Sequence, residues 1–208
     1  MSELSRLIIF DADGVLIDAC HIHFRAFQQA LREVGVSLSH TEHQLRLNAR
    51  PTKDKLAILA ATHPHLRELI DSVAARKQEI THQIFTTELV EDQTKIELIS
   101  ALRSHGFLIA CASNSLRSSV EVMLRATGIL SLFDYYVGND DAAPKPAPDL
   151  YLACADALGV PMARTVIVED SPLGLAAARS AGALSVIDVA DPSEVTLSLL
   201  SRLLSAFR

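Results

Sequence analysis

Five short apolar, β-branched runs limit what this chain can become: LIIF at 7–10, FLIACAS at 107–113, YYVG at 135–138, TVIVED at 165–170 and LSVIDV at 184–189. Around the last four lie segments whose apolar residues recur at helical spacing, 94–105, 117–127 and 147–158, with a shorter one at 172–181. Strand and helix therefore alternate. Right-handed crossovers then place each helix over a parallel sheet. The expected architecture is α/β, a parallel sheet with helices on both faces. In such sheets the chemistry gathers beyond the carboxyl ends of the strands.

Residues 16–86 break this rhythm. They contain no convincing strand and read as helices near 21–35, 40–48, 53–62 and 66–86. The expected organisation is a core of 1–15 with 87–208 and a helical insertion of 16–86. The insertion leaves immediately after the first strand and returns before the second, so it is expected to act as a lid with hinges near 15–20 and 86–91.

The chain has 208 residues, enough for one well-packed domain carrying such an insertion. No apolar stretch approaches the roughly 18 residues of a membrane span, and the apolar run after MSELSR is too short for an export signal. A cytoplasmic protein without a membrane partner is expected. Cys20, Cys111 and Cys154 are odd in number and widely spaced, as suits reduced core residues rather than a disulfide framework. The formal charge of −6 disfavours nucleic acid as a partner.

Polar residues follow the strand runs at four places: Asp11 and Asp13, Ser113 and Asn114, Lys145, and Glu169 with Asp170. Alone, each has an ordinary reading, since an Asp-x-Asp before a glycine is usually a turn and a lysine between prolines is usually solvated. Parallel strands bring all four to one rim. Carboxylates, a hydroxyl and an ammonium at one rim suit a phosphate and a magnesium ion, which prefers hard oxygen ligands. Asp11 and Asp170 are the natural ligand pair. Ser171 and Pro172 read instead as the cap and first residue of a helix, and Asp149 as a cap or a support for the Lys145 loop.

DADGV at 11–15, ASN at 112–114, KPAPD at 145–149 and EDSPLGLAAARSAG at 169–182 resemble, in order, the four motifs of the haloacid dehalogenase-like phosphotransferases. The resemblance covers nearly the whole chain. It implies a Rossmann-like core, and the insertion resembles the helical cap of the subgroup containing phosphoglycolate phosphatases and β-phosphoglucomutases. By the same resemblance Asp11 is the nucleophile that takes the phosphoryl group, and Asp13 is the general acid and base. Ser113 and Lys145 neutralise phosphoryl charge, and Asn114 contacts the substrate. Mg²⁺ binds Asp11, Asp170 and the main-chain carbonyl of Asp13, with Glu169 a direct or water-mediated contact. True dehalogenases of this family lack the second aspartate, so Asp13 argues against carbon–halogen chemistry.

HFRAF at 23–27 resembles the start of the cap helix, where His23 is either a gate residue or a packed histidine without function. RLNARPTKDKL at 46–56 falls where the subgroup presents its specificity loop. There Arg50 and Lys53, with Arg46 and Lys55 nearby, either meet an anionic group of the substrate or face water. Pro51-Thr52-Lys53 departs from the serine-arginine pair of the mutases. The expected activity is thus a Mg²⁺-dependent phosphatase of small phosphate esters, with a phosphomutase as the alternative and, for a cap that must move, a monomer. The aspartates of GNDDAAP at 138–144 are unusual before the lysine and are expected to affect access to it.

Overall fold

The computed structural model of the chain describes residues 5–48 and 50–207. In chain order these form β1 (Arg6–Phe10), α1 (Cys20–Arg32), α2 (His40–Arg46), α3 (Thr52–Leu59), α4 (Ile70–Glu88), α5 (Gln93–Ser104), β2 (Phe107–Ala112) and α6 (Arg117–Ala126). There follow β3 (Tyr135–Val137), α7 (Asp149–Leu158), β4 (Thr165–Glu169), α8 (Pro172–Ser180), β5 (Ser185–Asp188) and α9 (Leu200–Ser205). The sheet order is β3-β2-β1-β4-β5, parallel throughout. This is the Rossmann-like α/β arrangement that the alternation implies, interrupted by a helical insertion. The C-terminal α9 was not expected from the sequence. The helix expected over 66–86 is also split, with a 3₁₀ turn at Pro64–Glu68 before α4.

Strand alternation assigns the sheet's two faces. Leu7, Ile9, Ala110, Ala112, Val137 and Ile167 form one core with Leu150, Tyr151 and Cys154 of α7 and Ala177 and Ala178 of α8. Their neighbours Ile8, Phe10, Ile109, Cys111, Val166 and Val168 point the other way and are equally buried. A sheet buried on both faces reads as unbroken apolar runs, which is why the strands were legible. From β1 the chain moves to β2 and β3 on one side, then crosses to β4 and β5 on the other. Connections therefore diverge between β1 and β4, the kind of crevice where open α/β sheets bind ligands.

The chain divides into two compact units, Ala19–Leu89 being one and the sheet with its flanking helices the other. The helical unit is organised around Phe27, Leu31, Leu47, Leu56, Leu59, Leu66, Val73 and Ile80. Charged residues share its interior: His43, Lys55 and Lys77 are all buried. Lys55 Nζ lies 3.2 Å from His43 Nε2, while His43 Nδ1 is buried with no hydrogen-bond partner. Burial, then the cationic neighbours Lys55, His40, His23 and Lys77, pushes the His43 pKa down to about 4.

That shift makes stability depend on pH. Between pH about 6.5 and 4 the unfolded chain binds a proton at this histidine and the folded chain does not, so stability falls as pH falls through that window. The loss expected by pH 4 is about 2–3 kcal/mol. Urea unfolding from pH 7.5 to 4.5 measures it, and His43→Gln should flatten the slope; an unchanged slope would remove His43 as its source.

Candidate active site

The sheet fixes the first carboxylate through the backbone. Asp11 follows β1, and its N–H donates to the Val168 carbonyl at 3.0 Å, carrying the pairing with β4 one residue beyond the strand. The chain then folds tightly, with Leu16 and Ile17 N–H both donating to the Ala12 carbonyl at 3.0 Å and Gly14 N–H to the Ile17 carbonyl at 2.9 Å. Gly14 has φ +92°, and a Cβ there would lie 2.1 Å from Asp170 Oδ2. Glycine is thus required twice, for the left-handed backbone and to let the Asp170 carboxylate lie against the turn.

The other strand ends supply the remaining groups. Ser113, just past β2, is buried, donates its N–H to the Val137 carbonyl and accepts at Oγ from Ser115 N–H at 3.0 Å. Ser115 in turn donates its hydroxyl to Asp13 Oδ2 at 3.1 Å. Asn114, expected to contact the substrate, engages the main chain of Lys145. Its Oδ1 accepts from Lys145 N–H at 2.8 Å and its Nδ2 donates to the Lys145 carbonyl at 3.1 Å. The amide therefore clamps the main chain of Lys145 on both sides and sets where that side chain begins.

The Lys145 ammonium is buried between two carboxylates, donating to Asp11 Oδ1 and to Glu169 Oε1 at 2.6 Å. It also lies 4.7 Å from the ring centroid of Tyr151. Glu169, at the end of β4, is completely buried. Its Oε1 also accepts from the Tyr151 hydroxyl at 2.7 Å. Its Oε2 accepts from the N–H groups of Asp170 at 2.8 Å and Ser171 at 3.0 Å and from the Ser171 hydroxyl at 3.2 Å.

Burial works against charge at Lys145, but Asp11, Tyr151 and Glu169 outweigh it and hold the ammonium above its ordinary range. Burial likewise opposes ionisation of Glu169, and the Lys145 charge overcomes it and keeps this carboxyl below its usual value. At Asp170 the Lys145 charge also favours ionisation but is outweighed. Burial, then the Glu169 charge, raises it to about 7, and its Oδ1 is buried with no hydrogen-bond partner. Ligand atoms of Asp11, Glu169 and Asp170 all lie within 4.8 Å of one another. An excess of hard oxygens over one ammonium, with one oxygen unsatisfied, fits a small divalent cation such as Mg²⁺.

The two aspartates before the lysine are bonded within their own loop and to the start of α6. Asp140 accepts from Arg117 N–H at 2.7 Å at the start of α6. Asp141 accepts from Gly138 N–H at 2.9 Å and pairs with the Arg117 guanidinium at 3.3 Å. They organise the loop. Ser171 caps α8 by accepting from Gly174 N–H at 3.1 Å, as its sequence context implied. Asp149 is the first residue of α7, and the position before it is Pro148, so Asp149 is not the cap.

The helical unit holds the remaining candidates. His23 Nδ1 lies 2.9 Å from Lys77 Nζ and its ring meets Phe85 edge-on at 5.3 Å. Lys53 is exposed and paired with Asp71 at 2.7 Å, and Arg50 is exposed. Sequence reasoning missed Ser115 and Tyr151 near the core carboxylates. Tyr151 followed the apolar period of a helix, and nothing in that period distinguishes a packed phenol from one that also donates.

Residues 8–187 match the family model described as haloacid dehalogenase-like hydrolase. The chain is 30% identical over 190 residues to the fructose-1-phosphate phosphatase YqaB of Escherichia coli, covering 88% of this chain and 95% of that protein. Among solved structures it resembles CbbY from Rhodobacter sphaeroides in complex with phosphate, with TM-score 0.76, 27% identity and coverage of 88% and 86%. It shares its fold with a β-phosphoglucomutase from Clostridium difficile, with TM-score 0.80, 20% identity and 96% coverage of each chain. With four motifs in order on one sheet rim and a family match across most of its length, the chain belongs to the haloacid dehalogenase-like hydrolases.

Proposed function

We propose that this protein is a Mg²⁺-dependent phosphatase of small organic phosphomonoesters of the sugar-phosphate or phosphoglycolate type. The observation that carries this is the Asp11 carboxylate at the end of β1, bonded to the buried Lys145 ammonium and clustered with Asp170, one of whose oxygens is buried with no hydrogen-bond partner. A phosphatase named for fructose 1-phosphate and a relative that binds phosphate support the substrate class.

In this reading an Asp11 oxygen attacks phosphorus in line, and the bond from phosphorus to the ester oxygen breaks. Asp13 gives its proton to the leaving alcohol, steadied by the Ser115 hydroxyl on Oδ2. The phosphoryl group is then carried on Asp11. Asp13, now ionised, takes a proton from water as that water attacks phosphorus, releasing inorganic phosphate and restoring both aspartates. Lys145 and the Ser113 hydroxyl neutralise charge on the phosphoryl oxygens, the main requirement of phosphoryl transfer. Asp11, Asp170 and the Asp13 carbonyl would hold Mg²⁺, which when bound supplies a further counter-charge to those oxygens.

The helical unit, as a cap, would select among esters. Lys53 is paired with Asp71, which leaves Arg50 as the better candidate of the two for an anionic substrate group. Phosphate release from a panel of sugar phosphates, phosphoglycolate and nucleotides, with and without Mg²⁺, tests the proposal. Release that needs Mg²⁺ is expected; turnover seen only with a bisphosphate primer and no free phosphate would establish the mutase instead.

A further inference from the structure

Glu169 and Asp170 are adjacent in sequence and opposite in condition. A carboxylate offers about four lone-pair sites, and Glu169 accepts from five donors: Lys145 and Tyr151 at Oε1, and Asp170 N–H, Ser171 N–H and the Ser171 hydroxyl at Oε2. Asp170 Oδ1, by contrast, is buried without a partner. The Glu169 carboxylate is also seated sterically. Gly174, in α8, leaves room for it, and a Cβ at that position would lie 1.7 Å from Oε1.

Of the five donors, three come from the chain that immediately follows Glu169, and one is Lys145. The fifth, the Tyr151 hydroxyl, reaches in from α7. It donates without adding charge, and its ring separately faces the Lys145 ammonium. A phenol placed there completes the coordination of Glu169 by protons.

We propose that Tyr151 is a positioning residue: its hydroxyl holds Glu169 as the anchor of Lys145 and withholds that carboxylate from the metal, leaving Mg²⁺ to Asp11 and Asp170. This rests on the magnesium phosphatase reading above, and it reverses the metal-ligand role that the resemblance implied for Glu169. The opposite arrangement would make Tyr151 a support for a metal-bound Glu169. The two give opposite signs. Loss of a group supporting a metal ligand weakens metal binding, typically about 10–100-fold. Loss of a group that occupies a withheld carboxylate frees a lone pair and does not weaken binding.

Tyr151→Phe keeps the ring against Lys145 and removes only the hydroxyl. The experiment is calorimetric titration of Mg²⁺ into the full chain without substrate, together with steady-state kinetics on the best ester. Tyr151→Phe should lower kcat about ten-fold with KM nearly unchanged, because Lys145 loses a fixed anchor, while Mg²⁺ binds as tightly as in the parent or tighter. Weaker Mg²⁺ binding, or an unchanged kcat, would overturn the proposal. If no ester is hydrolysed the phosphatase reading fails, and the Mg²⁺ titration alone still separates anchor from ligand.

Discussion

Asp11→Asn should lose phosphate release by on the order of 10⁴-fold or more while the chain stays folded. The substitution conserves volume and removes only the anionic oxygen that attacks phosphorus. Lys145 keeps its second partner, Glu169, at 2.6 Å. Burial opposes the Asp11 charge; Lys145 attracts it, and Glu169 and Asp170 repel it, with the net effect against ionisation, so the midpoint of thermal unfolding should hold or rise. Phosphate release and thermal unfolding on the same preparation provide the check. Residual turnover within about ten-fold of the parent would mean that the phosphoryl group passes directly to water, and the covalent route would be wrong.

Lys145→Met should show the contrasting pattern, losing both turnover and stability. The ammonium is the cation between Asp11 and Glu169, and breaking a buried ion pair by removing one partner costs about 3–5 kcal/mol. For a chain of this length that is a fall of roughly 10 °C in Tm. Added Mg²⁺ should return part of the lost stability, because it would replace positive charge beside the same carboxylates. Turnover should not return with it. An Lys145→Met protein as stable as the parent would show that these carboxylates are protonated in the folded state, contrary to the charge arrangement described here.

Legibility from sequence followed the type of interaction. Asp11, Ser113, Lys145 and Asp170 stood out because each follows a strand-like run, and parallel strands bring their ends together whatever lies between. The clamp that Asn114 makes was not visible, since its partner is the main chain of Lys145, and which backbone groups an amide meets is set by loop geometry. Tyr151 was hidden for a related reason: its position on α7 satisfies the packing of an apolar residue, and the hydroxyl is an addition to that role. In the helical unit the cluster Arg50, Lys53 and Lys55 looked uniform. Only the structure separates an exposed Lys53, bonded to Asp71, from a buried Lys55 against His43. Residues two apart on a helix face different ways, but which way is inside depends on the neighbouring helices.

Within the helical unit, α1 and α4 pack against one another along their lengths. Near the points where the chain enters and leaves, Arg25 grips Glu88 through both carboxylate oxygens, at 2.7 and 2.8 Å, and His23 meets Phe85. This bears on how the sheet assembles. Arg6 of β1 must find Phe107 of β2 across the whole intervening sequence, and closing a floppy loop of that length costs entropy that grows with the logarithm of its length. A unit whose two ends are already clasped presents the sheet with a shorter connection instead, a saving of about 1 kcal/mol. The Arg25–Glu88 clasp thus makes early folding of the helices an aid to strand pairing, and chains in which it is broken should fold more slowly even where the finished protein is little changed.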